Sequence, residues 1–514
     1  MRNGIVFASV LGATCLLAGC QAGASRSAAG DLSNNDRANP ETIFDRRVPA
    51  QTEIVTDIPR VPRWCSVLGL RPRYVHVGDA ELYYEVEGQG VPLVLLHGGP
   101  GGTHHYFHPT FACAAGFARV VYYDQRGCGL STYSPGAGYT VEQAVDDLDQ
   151  LRQELGVDRW IVLGHSYGGK LAERYALTYP EHLAGLVLVC AEPGFEAPLG
   201  PGRENEFLSE PEQERIRTIH ARQDLTLAQR VYNAMLSGDW KRQGYYKPSP
   251  ESFARMALYE WCHDTRFRQQ LREVDRLGTE GAFEGYPVPT LILESTWDLT
   301  WNSKKPAVMC ANHPGARSVI FEASGHSPFD DEPEGFFGVL REFVGKLGTP
   351  SPTALAEWKS RFAARRQEQL ASPYHLLTNC SYGWAESREI AQAYSPQWLA
   401  QVNEPGQLLR LGFALYDVER YEEALAPFRK LHEVSKDEPQ YQAMALIWQG
   451  HMLDLLGRRD EAVSIYQRVA EMGLTDGFRH DQYGLTISPV PYARERLQTP
   501  FQRHENRSER QEPE

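Results

Sequence analysis

One run of residues constrains this chain more than any other. Residues 160–163, Trp-Ile-Val-Leu, are continuously apolar; Gly164-His165-Ser166-Tyr167-Gly168 follows; then Gly169, Leu171, Ala172, Tyr175 and Ala176 continue at helical spacing. A short apolar run suits a strand buried on both faces. The glycines let the chain reverse so sharply that the Ser166 hydroxyl is lifted clear of the backbone. The segment therefore predicts strand, tight turn and helix, with a serine at the tip. A serine hydroxyl is a weak nucleophile until a neighbouring base takes its proton, so an imidazole and an orienting carboxylate are expected further along.

Other apolar runs, at residues 91–96, 120–123, 186–189, 290–293 and 318–321 and around Tyr83 and Tyr84, alternate with amphipathic segments. That alternation predicts an α/β architecture, a mostly parallel sheet with both faces covered. Asp298 follows the 290–293 run and His326 follows the 318–321 run, so both are expected at the sheet edge where Ser166 emerges. Glu294 is the rival acid, but it lies so close to its strand that Asp298 is preferred. Ser166, Asp298 and His326 form the expected catalytic triad. His97-Gly98-Gly99-Pro100-Gly101-Gly102 comes directly after a strand. Such a turn can bring a bare amide into a site, and the Gly99 and Tyr167 amides are the expected oxyanion hole, with Gly98 as a substitute donor. A phosphate-binding loop is excluded because its Lys and Ser/Thr are absent at the required spacing.

Three motifs in order, His97-Gly98-Gly99-Pro100-Gly101, Asp124-Gln125-Arg126-Gly127-Cys128-Gly129-Leu130-Ser131 and Gly164-His165-Ser166-Tyr167-Gly168-Gly169, resemble the prolyl iminopeptidase family of α/β-hydrolases over about residues 74–347. The resemblance implies an α/β-hydrolase sheet with a helical lid and a serine hydrolase that removes an N-terminal residue, often proline, from short peptides through an acyl-enzyme. It needs no cofactor. Family members typically carry Trp where Tyr167 stands, and they bind the free α-amine with glutamates of the lid; Glu260 and Glu192 are the candidates here. A carboxylesterase or lipase is the alternative enzyme. A lipid-anchored helical-repeat scaffold with an inert hydrolase domain is the alternative of another class.

Residues 192–286 read as the lid, helical and charged, with Trp240, Tyr245, Tyr246, Phe253, Trp261 and Phe267 mostly forming its own small core. His104, His105 and His108 are expected to line the lid entrance or stack on it. No carboxylate or cysteine completes a ligand set, so no metal is expected. Beyond Pro350 and Pro352 the chain turns helical. Leu411-Gly412, Ala424 and Phe428 recur as Gln449-Gly450, Ala462 and Tyr466 at a constant shift of 38 positions. This resembles tetratricopeptide repeats, whose usual period is about 34, and implies an all-α domain able to take a protein partner.

The N-terminus has Arg2, a short apolar stretch and Leu17-Ala18-Gly19-Cys20, which resembles a bacterial lipobox with Cys20 as the lipidated residue. The implied place is the cell envelope, anchored by lipid and facing the periplasm if the cell has an outer membrane. The expected organisation is a signal peptide at 1–19, a flexible tether at 20–60, a hydrolase domain at 61–348, a helical domain at 349–497 and a disordered tail at 498–514. Of nine cysteines, those beyond Cys20 are open to disulfide pairing in an oxidising compartment. The formal charge of −14 argues against nucleic acid, whose binding needs clustered cations.

Overall fold

A computed structural model describes residues 53–132, 139–194, 208–241, 244–246, 248–260, 278–298, 304–371, 376–377, 384–474, 478–479 and 486–503. Cys20 and its flanking signal lie outside them, as do Trp261 and Phe267. The chain divides into two compact units, one of residues up to Val274 with Thr279–Phe362, the other of Asp275–Gly278 with Ala363 onward.

The first unit is built on eight strands in the order β1 (Arg73–Val77), β2 (Ala80–Glu87), β4 (Ala118–Tyr123), β3 (Val91–Leu96), β5 (Trp160–His165), β6 (Leu183–Val189), β7 (Thr290–Ser295), β8 (Arg317–Phe321). β2 pairs antiparallel with β1 and β4, and the other pairings are parallel. Every apolar run named above is a strand. β1 is a strand without such a run: only Val75 and Val77 of its five residues are buried, too little apolar content to stand out at a sheet edge.

Helices α1 (Val141–Glu154), α2 (Tyr167–Thr178), α3 (Glu210–Ala221), α4 (Leu227–Ala234), α5 (Pro250–Arg255), α6 (Lys305–Asn312) and α7 (Pro333–Gly345) follow in chain order. Val94, Leu96, Val162, Leu186 and Ile292 pack with Leu148 of α1, Leu171 and Tyr175 of α2 and Met309 of α6. Their neighbours Leu93, Leu95, Ile161, Leu163, Val187 and Leu291 face the other way, onto Phe336, Phe337 and Leu340 of α7. The period of two divides each strand between two cores, and each such side chain contributes about 1.5–3 kcal/mol on burial.

The helices α3 to α5 form the lid. Thr226 and Gln229 cap α4 reciprocally, at 3.2 and 2.9 Å, and Tyr232, Trp240, Phe253 and Met256 form the small core expected of it. The expected tether reaches into this core. Val55, Ile58 and Val61 pack on it, and Val55 exchanges two 2.8 Å hydrogen bonds with the Asn233 side chain. The tether reading fails for Val55 and Ile58, because these apolar side chains, continued by Val61 of the hydrolase domain and spaced among prolines, suffice to lay an extended strap on a helix.

In the second unit α8 (Pro405–Asp417), α9 (Tyr421–Val434), α10 (Pro439–Leu455) and α11 (Arg459–Ala470) pack consecutively. A Cβ on Gly412 would lie 2.5 Å from the Phe428 ring, and one on Gly450 would lie 2.5 Å from the Tyr466 ring. The 38-residue recurrence therefore records the same helix–helix approach made twice. The expected disordered tail departs from that reading over residues 498–503, the rest lying outside the described residues: Phe501 is buried and stacks on His451 at 3.7 Å between ring centres, and its amide donates to Asp454 Oδ2 at 2.7 Å. One large ring recovers enough apolar burial to hold residues 501–503 down.

Among the described residues no helix is long and apolar enough to cross a membrane. Cys65, Cys190 and Cys310 are free thiols.

Candidate active site

Ser166 sits between β5 and α2 at φ 55°, ψ −127°, a conformation costly for a side-chain-bearing residue and one that marks functional turns. The glycines beside it are required sterically. A Cβ on Gly164 would meet Gly168 O at 2.2 Å, and one on Gly168 would meet Leu96 O at 2.1 Å. Any side chain at either position would open the elbow.

His326 follows β8, and its Nδ1 lies 3.0 Å from Asp298 Oδ1. A carboxylate only accepts, so Nδ1 carries the proton, which leaves Nε2 to act as the base. Glu294, the rival acid, is turned away: it is buried against Lys305 Nζ at 2.8 Å, and the same ammonium lies 3.4 Å from Asp298 Oδ2. Burial pushes the Glu294 carboxyl up to about 7 against the pull of Lys305. Ser166 and His326 line one cavity of about 390 Å³, with no hydrogen bond between them among the described residues. Such contacts commonly tighten only when substrate is bound.

Gly98 and Gly99 line the same cavity, and a Cβ on Gly98 would stand 2.6 Å from Ser166 Cβ. Gly98 is not the substitute donor, because its amide donates to Tyr106 Oη at 2.6 Å. Gly99 lines the cavity, and Tyr167, directly after Ser166, is the first residue of α2.

Two residues that the motifs did not single out tie this loop to His326. Burial lowers His165 to about 3, so its ring is neutral and has one N–H. His165 Nε2 lies 2.8 Å from His326 O, and a carbonyl can only accept, so the proton is on Nε2. Nδ1 then accepts from Tyr106 Oη at 2.9 Å. A directed chain results, from Gly98 N–H to Tyr106, to His165, to the His326 carbonyl. The lid adds Gly244, whose carbonyl accepts from His326 N at 2.7 Å. Gly325 is needed there, since its Cβ would meet that carbonyl at 1.9 Å. Partners drawn from three distant segments leave no local motif to find.

Glu260 lines the cavity, is buried, and accepts from Arg255 Nε at 2.6 Å. Burial holds its carboxyl above the usual range. Asp330, 3.7 Å from Arg255 Nη2, and Asp331 are further acids in the lining. Glu192 is not brought there; it follows β6 and pairs with Lys170 at 3.6 Å. Of the lid aromatics, Tyr245 reaches the cavity.

The histidine cluster corrects the expectation for it. His105 does lie against Tyr259 of the lid, its ring tilted by 46° at 4.8 Å between ring centres, but His104 and His108 are fully buried among acids. His104 Nδ1 lies 2.8 Å from Asp124 Oδ1, and His108 Nε2 lies 3.4 Å from Glu85 Oε2. Cys65 lies against the same group. The pairing of β2 with β4 brings these acids under the turn at His104–Phe107, which spacing along the chain does not show.

A half-exposed elbow serine, an imidazole–carboxylate pair and a bare glycine loop, all at the end of this sheet, define a hydrolase of the α/β class. Residues 91–333 match the α/β hydrolase fold family. A proline iminopeptidase of Saccharolobus solfataricus is 30% identical over 303 residues, which are 53% of this chain and 92% of that protein. One from Clostridium botulinum is 30% identical over 302 residues, 53% of this chain and 97% of the relative. Among solved structures, a proline iminopeptidase-related protein from Thermus thermophilus aligns over 54% of this chain and 98% of its own, at 22% identity and a TM-score of 0.38. The chain belongs to the α/β-hydrolase family, and its relatives include the proline iminopeptidases.

Proposed function

We propose that this hydrolase removes the N-terminal residue, proline among others, from short peptides by way of an acyl-enzyme. Ser166 attacks the first peptide carbonyl as His326 takes its proton, with Asp298 holding the imidazole in the required tautomer. The Gly99 and Tyr167 amides receive the developing oxyanion, a donor pair of which each member typically contributes about 3–4 kcal/mol to the transition state. His326 then protonates the leaving amine, and water releases the acyl group.

The observation that carries the aminopeptidase reading is Glu260, a buried carboxylate in the wall of the cavity that holds Ser166. A buried acid at that place is a counter-charge for a free α-amine. The test is a panel of prolyl and other aminoacyl amides, each with free and blocked amine, beside acyl esters. The expected result is preference for the free amine, with Ser166→Ala losing at least about 10⁴-fold in kcat/KM and losing fluorophosphonate labelling. Indifference to blocking would overturn the aminopeptidase reading, and turnover retained by Ser166→Ala would overturn the serine mechanism. One observation favours a carboxylesterase instead: Arg255 already pairs with Glu260, so a neutral acyl ester needs no further cation. In that case the esters lead the panel.

We also propose that Cys20 carries lipid and anchors the enzyme at the cell envelope, on the support of the Leu17-Ala18-Gly19-Cys20 motif. Two or more acyl chains, at about 0.8 kcal/mol per buried methylene, suffice for stable anchoring. Cys20→Ala is expected to move the protein from the membrane to the soluble fraction, and an unchanged distribution counts against the anchor. The repeated hairpins of the second unit support a tetratricopeptide-like surface for a protein partner. Substitution of exposed residues on α8 to α11 in the full chain is expected to remove a specific co-purifying protein, and an unchanged set of co-purifying proteins counts against that surface.

A further inference from the structure

Just beyond the oxyanion loop lies a second group of reactive side chains that hydrolysis does not use. Cys65, Glu85 and His104 are buried, and a donor atom from each lies within 4.8 Å of the other two. They come from three places: the turn Trp64–Val67, strand β2, and the turn His104–Phe107. His104 Nδ1 is occupied by Asp124 Oδ1 at 2.8 Å, while His104 Nε2 points toward Glu85 Oε1 at 3.8 Å and has no hydrogen-bond partner. Glu85 Oε2 and both ring nitrogens of His108 also complete no hydrogen bond, and His108 Nε2 is 3.4 Å from that carboxylate oxygen.

Leaving a buried polar atom unsatisfied costs about 1–3 kcal/mol, and native proteins concentrate such atoms only for a reason. Here the orphaned atoms face one another, while the remaining Glu85 oxygen, Oε1, accepts from the Tyr83 hydroxyl. A histidine whose Nδ1–H is held by a carboxylate and whose Nε2 faces a thiol and a second carboxylate has the arrangement of a metal ligand with its outer-shell partner. Thiolate, imidazole and carboxylate together suit zinc better than magnesium or calcium, which favour oxygen ligands.

We propose that Cys65, Glu85 and His104 bind a zinc ion, with His108 Nε2 as the nearest fourth donor and Asp124 orienting His104. Tetrahedral zinc with bonds of about 2.0–2.3 Å needs donors roughly 3.4–3.7 Å apart, so the group closes by about an ångström through side-chain rotation. The ion replaces the proton on Cys65 Sγ and any proton on His104 Nε2, both released to solvent. The site clasps the segment before the sheet and the exit of the oxyanion loop onto β2, where Trp64 N already donates to His105 Nε2 at 3.2 Å. It is a structural clasp, and it stands whether the substrate is a peptide or an ester.

The test uses the full chain, stripped with chelator and titrated with Co²⁺ and separately with Zn²⁺. One equivalent of Co²⁺ is expected to bind with a thiolate-to-cobalt charge-transfer band that Zn²⁺ abolishes. Cys65→Ser should remove the band, and Glu85→Gln should weaken Co²⁺ binding at least about 10-fold. Cys190→Ser is the control, because Cys190, Asp298 and His326 also lie within 4.8 Å of one another; it should leave the band intact. Absence of the band from the parent protein, its persistence in Cys65→Ser, its loss in Cys190→Ser, or unchanged affinity in Glu85→Gln overturns the proposal. If Cys65→Ser does not fold, the Glu85→Gln and Cys190→Ser measurements decide alone.

Discussion

Two of the histidine–aspartate pairs among the described residues, those of His326 and His104, have nearly the same geometry, and their surroundings give them different work. His326 Nδ1 is 3.0 Å from Asp298 Oδ1, and His104 Nδ1 is 2.8 Å from Asp124 Oδ1. His326 lines the cavity that holds Ser166, whereas His104 is sealed in with Glu85 and Cys65. The carboxylates are also held differently. Asp124 accepts from the backbone amides of His104 and Leu130 at 2.7 and 2.8 Å. Asp298 has the Lys305 ammonium at 3.4 Å, with the second acid Glu294 behind it. The fixed amides make one pair a brace. The ammonium and its second carboxylate make the other responsive to charge. An imidazole on a carboxylate is thus not in itself a catalytic feature; what its far nitrogen meets decides.

The largest effect that sharpens this contrast is expected from Asp298→Asn, which should lower kcat by about 10⁴-fold by favouring the wrong His326 tautomer, with little change in melting temperature. Asp124→Asn should do the reverse. It uncouples a buried pair, so unfolding by denaturant should show a loss of about 3 kcal/mol or more, while kcat of the folded protein stays within about tenfold. Matching losses of kcat in the two variants would erase the distinction.

Glu294→Gln probes the responsive side through pH. The folded-state pKa of about 7 lies above the ordinary 4.5, so the folded protein binds the proton more tightly between those values. This contribution is fully present below pH 4.5 and is lost as pH rises through 7, at most about 3 kcal/mol. Denaturation measured across that window should show the slope in the parent and a flatter profile in Glu294→Gln. The smallest effect is expected from Glu260→Gln. It should raise KM for free-amine substrates about 10- to 100-fold, the loss of one charge-assisted hydrogen bond, and leave blocked substrates unchanged. Equal losses on both would make Glu260 a structural partner of Arg255.

What the sequence by itself determined is what short range encodes. The strand runs, the Ser166 elbow with its obligatory glycines, the placement of Asp298 and His326 after strands, and the paired Gly412–Phe428 and Gly450–Tyr466 contacts all follow from local period and side-chain size. Tertiary structure alone decided which groups meet across distance. It turned Glu294 onto Lys305, occupied the Gly98 amide with Tyr106, brought Glu260 but not Glu192 to the cavity, and set Glu85, Asp124 and Cys65 around His104. Strand pairing and lid packing join residues whose separation along the chain carries no periodic signal. A hydrogen bond or ion pair needs its partner within about 3–4 Å, and only the assembled sheet fixes that distance.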